Sequence, residues 1–318
     1  MHGNRRDILK DEDLQSLVRL CGKSRLYLPA EYSPGSLVLP TCLRATAQYL
    51  VQYGVETRGV FRIPGSARVV NTLYNYYCAD GDVDGISSTI CCPNLPSHIQ
   101  ASAHDVASTF KRLLFGLPGG ILGTLSLFDA FVAIQGQLGG EAEFTKRRQT
   151  KLRARMIALA VSTVTSQLRR DLICAVFGLL CLIGRSAETA PREDEHGMPL
   201  LTSDLMGYNA LGIVFGPLLV GDLLNSYIVD AVSTSELELP HVPLPNARKE
   251  RRRSKKLENS PQQPALAIDK IHMANGITEM LITHWREWED YTDTLLPRLY
   301  FHVDDLEACG HSPAGSQM

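Results

Sequence analysis

The sequence has no uncharged apolar run of the roughly 20 residues that a helix needs to cross a bilayer. Its longest such run, Leu172 to Ile183, reads as a helix buried in a protein core. Charge of one sign is missing too, since 32 Lys and Arg stand against 34 Asp and Glu for a net charge of −2. The chain as a whole therefore has no electrostatic bias toward nucleic acid or membrane. The eight cysteines, at 21, 42, 78, 91, 92, 174, 181 and 309, form no CxxC pair and no Cys/His spacing of a zinc site. They read as reduced thiols of an intracellular protein. The first residues, Met1 to Asp7, carry no apolar core of a signal peptide, and a cytoplasmic location is expected. Signatures of self-contained catalysis are also lacking. There is no Gly-x-x-x-x-Gly-Lys-[Ser/Thr] phosphate loop, no Gly-x-Ser-x-Gly and no His-Glu-x-x-His.

Strand signals are few, whereas apolar residues recur at helical spacing from about residue 40 to 300, so the fold class is all-α. Pro40 and Gly54 bracket a helix that places Leu43, Ala47, Leu50 and Val51 on one face. Val69, Val70, Leu73, Tyr74 and Tyr77 mark a second helix, and Val106, Phe110, Leu113 and Leu117 a third that ends at Pro118-Gly119-Gly120. Further helices are expected at 125–138, 144–164, around 173–183, at 204–224 and at 271–288, the last ending near Pro297. Residues 233–264 contain five prolines and the basic run Arg248 to Lys256, a composition that buries little apolar surface. The expected organisation is one helical domain over 36–300 with inserted loops at 185–203 and 233–264. Residues 1–35 form an N-terminal extension and 301–318 a C-terminal tail.

Residues 57–66 read Thr-Arg-Gly-Val-Phe-Arg-Ile-Pro-Gly-Ser. Gly59 and Gly65 permit sharp or positive-φ backbone on both sides, and Phe61 can anchor the loop in the core, which leaves Arg62 pointing outward. This segment resembles the Gly-[Ile/Val]-[Phe/Tyr]-Arg-x-x-Gly loop of the Rho GTPase-activating (RhoGAP) domain family, whose arginine is the catalytic finger. Two further segments, in the family's order, support the resemblance. Val106 to Pro118 is similar to the family helix that carries a lysine and ends in Leu-Pro, which aligns that lysine with Lys111. Asn209 to Leu219 is similar to the family helix Asn-Leu-Ala-x-x-Phe-Gly-Pro-Asn-Leu, whose first asparagine is matched by Asn209. Pro217 is expected to end or kink that helix.

The resemblance implies that Arg62 is a catalytic arginine supplied in trans to a Rho/Rac-type small GTPase in its GTP form. Lys111 and Asn209 are implied to contact the GTPase and to support the finger, with Gly59, Phe61 and Gly65 shaping its loop. No cofactor of its own is implied, because GTP and Mg2+ are held by the partner. Two departures from the family pattern stand out. Phe115 replaces an arginine four residues after the lysine, and Leu218 replaces the second asparagine. Arg112 points about 100° around the helix from Lys111 and is an imperfect substitute. These departures keep open an alternative, a helical module that docks a GTPase or another signalling partner without activating it. The basic run 248–256 reads as a solvated linker, a nuclear-localisation signal or a tether to anionic membrane.

Overall fold

The computed structural model describes residues 14–33, 35–78, 93–137, 143–191, 194, 196, 198, 200–223 and 262–287. Helix α1 (Leu14–Cys21) leads into a two-stranded antiparallel hairpin, β1 (Lys23–Tyr27) and β2 (Ser36–Pro40), in which Lys23 faces Pro40 and Tyr27 faces Ser36. Among the described residues eight helices follow: α2 (Thr41–Tyr53), α3 (Ala67–Cys78), α4 (Ala103–Phe115), α5 (Leu125–Gln137), α6 (Glu143–Ser162), α7 (Gln167–Thr189), α8 (Tyr208–Val220) and α9 (Gln262–Thr283). A 3-10 turn at Leu201–Asp204 precedes α8. The expected helical class holds, with the hairpin as an addition that the sparse strand signals did not reveal.

Helix α7 is the centre of the packing. Every residue from Asp171 to Cys181 is buried, which requires a helix apolar on all sides. By length and composition α7 would be able to cross a membrane, the only such helix among the described residues, but here most of it is buried inside the protein. The buried carboxylate on it is matched: Asp171 Oδ2 accepts the Val38 N–H at 2.8 Å and so ties β2 to α7. Burial raises the Asp171 pKa, against the opposing pull of that N–H and of Arg170.

Of residues 1–35, expected to form an extension outside the domain, the described part from Leu14 onward contributes to its core instead. Leu14, Leu17, Cys21, Leu26 and Leu28 are buried in the same hydrophobic cluster as α2, α4 and α7. Each buried leucine is worth roughly 1.5 to 3 kcal/mol, enough to hold a short segment against its ordering entropy. The connection between β1 and β2 also meets the C-terminal end of the described residues. Trp285 donates its indole N–H to the Tyr32 carbonyl at 3.0 Å, and its ring stacks on Phe177 with centroids 5.9 Å apart.

Other boundaries shift as well. The loop expected at 185–203 is shorter, since α7 continues to Thr189. Helix α8 begins at Tyr208 rather than 204, and Pro217 lies inside it, with the helix running on to Val220. Helix α9 begins at Gln262, so the end of the expected 233–264 insertion is helical. The basic run 248–256 and the tail 301–318 lie outside the described residues. Cys21, Cys42, Cys78, Cys174 and Cys181 are buried.

Candidate functional site

The connection between α2 and α3, residues 54–66, is pinned by its backbone at several points. Gly59 adopts φ 55°, a left-handed conformation that favours glycine. Its N–H donates to the Asp204 carbonyl at 3.1 Å, and its carbonyl accepts the N–H groups of Arg62 and Ile63, each at 2.8 Å. Phe61 is buried. Its ring meets Phe215 of α8 edge-on, with centroids 4.8 Å apart, and lies 6.5 Å from Phe110 of α4. The Phe61 N–H points at the Met206 sulfur at 3.3 Å. Its carbonyl accepts from the Lys111 ammonium at 2.6 Å.

The far side of the loop is held by α4. Ser102 and Asp105 form a capping box at its start. The spare oxygen of Asp105 accepts the Ser66 N–H at 2.6 Å, and Ser108 Oγ accepts the Gly65 N–H at 2.9 Å. Burial acts to raise the Asp105 pKa, but the bonds from Ser102 and Ser66 outweigh it and hold the carboxyl below its ordinary value. Gly65 lies so close to α4 that a Cβ there would sit 2.5 Å from the Asp105 Cα. Arg58 forms an ion pair with Asp204, both partly exposed, and its carbonyl accepts from His104 Nε2 at 3.0 Å.

Arg62 sits between these two sets of restraints with its side chain exposed. Among the described residues its guanidinium has no hydrogen-bond or ion-pair partner. The loop thus presents a free, permanently charged fork on a stiff backbone. Lys111 is half-buried, and desolvation pushes its pKa below the ordinary lysine value.

The remaining candidates fall around this unit. Asn209, in the first turn of α8, is exposed, and its Nδ2 donates to Glu279 Oε2 of α9 at 3.0 Å. It lies three residues beyond Met206, which holds Phe61. Arg112 is turned toward α3, with its guanidinium 3.9 Å from the centroid of the Tyr74 ring and 2.5 Å from Asn71 Oδ1. It does not replace a charge beside Lys111. Phe115 is 67% exposed, whereas Leu218 is buried, its carbonyl accepting the Ile121 N–H at 3.0 Å.

Asp105, Ser108, Asp204 and Met206 were not anticipated as parts of the site. Only the Ser-x-x-Asp spacing of Ser102 and Asp105 offered a local signal. Among the described residues, no group of three or more His, Cys, Asp or Glu is arranged to hold a metal ion. A cavity of about 370 Å3 lined by Leu122, Ser126, Ser166 and Arg169 shares no residue with the Arg62 loop.

A model of the RhoGAP domain matches residues 40–222, which include the loop, α4 and α8. The chain belongs to the RhoGAP domain family. Probable Rho-GTPase-activating protein 6 of Schizosaccharomyces pombe is 30% identical over 199 residues, covering 60% of this chain and 25% of that protein. The match thus spans about a quarter of that relative. Among solved structures, the BH domain from GRAF, the GTPase regulator associated with focal adhesion kinase, aligns over 78% of this chain and 93% of its own, with a TM-score of 0.44 and 16% identity. Human Rho GTPase activating protein 15 aligns over 78% of this chain and 83% of its own, with a TM-score of 0.45 and 16% identity. Of the elements described here, α1, β1, α9 and all of β2 except Pro40 lie outside the matched RhoGAP segment.

Proposed function

We propose that this RhoGAP domain stimulates GTP hydrolysis by a Rho-type small GTPase, with Arg62 entering the partner's site as an arginine finger. The observation that carries this reading is the exposed, unpartnered Arg62 guanidinium, flanked by backbone groups fixed through Gly59, Phe61, Gly65 and Ser66. A GTPase brings its own phosphate loop, Mg2+ and water-positioning residue, so an activator need only add charge where it develops. As the bond to the γ-phosphoryl group loosens, negative charge spreads over the phosphate oxygens. A planar guanidinium then donates several hydrogen bonds at once. Pinning the loop in advance lowers the reorganisation needed to place that charge.

Lys111 supports the finger through the Phe61 carbonyl, and Asn209 contacts the GTPase from α8. The partner is bound in its GTP form and holds the nucleotide and metal itself. The cytoplasmic location expected from the sequence and a weak contact of residues 248–256 with anionic membrane belong to the same reading.

The test is single-turnover GTP hydrolysis by purified Rho, Rac and related GTPases, with and without wild-type protein or Arg62→Ala. Arginine fingers are worth on the order of 10³- to 10⁵-fold in rate. Arg62→Ala should therefore abolish most of the stimulation while a binding titration changes little, and Arg62→Lys should be nearly as inactive. Binding of GTP-loaded partner by the wild type without any stimulation would leave a docking module as the function. Undiminished stimulation by Arg62→Ala would exclude Arg62 as the finger.

A further inference from the structure

Helices α8 and α9 cross unusually close to one another. A Cβ at Gly216 would lie 2.1 Å from Asn275 Oδ1, and one at Gly212 would lie 2.9 Å from the Asn275 carbonyl and 3.1 Å from the Glu279 Cβ. Only bare backbone at these two positions, one helical turn apart, permits the approach. One consequence is that Glu279, seated against Gly212, reaches the amide of Asn209 one turn toward the start of α8. A carboxylate accepts hydrogen bonds and, while ionised, cannot donate them. The amide must therefore turn its NH2 toward Glu279 and leave its carbonyl oxygen Oδ1 on the other side.

We propose that Glu279 is a positioning residue for Asn209: it fixes the amide so that Oδ1 is available to accept a hydrogen bond from an N–H or O–H donor on the GTPase. This rests on the activator function proposed above and adds α9 to the machinery of the site. An unpaired amide would rotate freely and offer either end. Held by Glu279, it selects against a partner group that only accepts. The chemistry recognised at this point is a donor on the bound GTPase.

Two measurements test the pair. In single-turnover hydrolysis with a GTPase that wild type stimulates, Asn209→Ala and Glu279→Ala should each raise the half-saturating activator concentration roughly fivefold, as expected for one lost hydrogen bond. The maximal rate should stay nearly constant. Glu279→Gln, whose side-chain oxygen still accepts, should return to within about twofold of wild type. The Asn209→Ala/Glu279→Ala double variant should be no worse than Asn209→Ala alone. An unchanged half-saturation in Glu279→Ala, or additive losses in the double variant, would overturn the positioning role. So would a Glu279→Gln defect as large as that of Glu279→Ala.

The second measurement needs no partner. The Asn209 side-chain NH2 pair, assigned by its loss from the 15N spectrum of Asn209→Ala, should move when carboxylates are protonated in wild type but not in Glu279→Gln. An NH2 pair indifferent to pH in wild type overturns the contact itself. A wild-type chain that stimulates no GTPase would instead overturn the activator function, and the positioning role with it, while this spectrum still decides whether the contact exists.

Discussion

The ammonium of Lys111 donates to the carbonyl oxygen of Phe61 at 2.6 Å, one peptide bond before Arg62. Because the Phe61 ring is buried against Phe215 and its N–H faces the Met206 sulfur, this bond closes the last free direction of the peptide that carries the finger. A hydrogen bond from a charged donor is worth about 1.5 to 3 kcal/mol. It orients backbone, and through backbone the guanidinium.

Lys111→Ala should therefore lower the maximal stimulated rate by roughly tenfold or more and also weaken GTPase binding, since the Phe61 carbonyl is left without its donor. Stimulated hydrolysis at saturating activator, set beside a binding titration, separates the two effects. A variant with normal rate and affinity but lower thermal stability would reduce Lys111 to a packing residue.

Gly65→Ala offers a way to move the finger without touching it. The added Cβ would meet the backbone of His104 and Asp105 at 2.7 and 2.5 Å, atoms that cannot swing aside as a side chain end would. The loop must lift from α4, breaking the bonds of Gly65 and Ser66 to Ser108 and Asp105. Stability should fall by about 1 to 3 kcal/mol, as for other forced contacts, and the rate should fall further than binding. A urea titration with single-turnover hydrolysis checks both, and full activity would show that the loop need not sit on α4.

Phe115→Arg restores the residue that the family pattern has at that position. With 67% of the residue exposed, the new charge stays in water. Unfolding free energy should change by less than about 0.5 kcal/mol. Stimulated hydrolysis should hold or rise, because a second cation then stands one helical turn from Lys111. A marked drop in melting temperature, or a loss of activity, would show that the aromatic ring is itself used.

The elements most legible in the sequence are those whose signals are local. Pro40 and Gly54 bracket α2, and the apolar spacing of Val106, Phe110 and Leu113 marks α4. The loop glycines and Phe61 could be assigned because residue type alone limits what such positions do. What escaped detection depends on contacts between residues far apart in the chain. β1 and β2 are five residues each, too short for alternation to stand out, and are fixed by pairing and by Asp171 across 133 positions. The same holds for Asp204 and Met206, more than 140 residues from the loop atoms they restrain. Glu279 on α9 carries no local mark at all, since only the close crossing at Gly212 and Gly216 brings it to Asn209.

The contact between α6 and His284, the residue that follows α9, should make stability depend on pH. His284 Nε2 lies 3.2 Å from Arg153 Nη1, and burial together with that guanidinium lowers the His284 pKa from 6.5 to about 4. The folded state thus prefers the neutral ring, which can accept from Arg153 only while Nε2 is unprotonated. In the unfolded chain the ring protonates near pH 6.5. The stabilisation is therefore fully present above about pH 6.5 and is lost progressively as pH falls toward 4, where the folded form must protonate too. Allowing for partial exposure, the loss is on the order of 2 to 3 kcal/mol. Urea midpoints measured from pH 7.5 to 4.5 should fall for wild type, and the fall should be shallower for His284→Gln, which cannot take up the proton. Depressed carboxyls such as Asp105 lose their contribution only at lower pH, as they protonate, so they should not mask the histidine in this window. Parallel curves for the two proteins would mean that His284 is not held neutral in the fold.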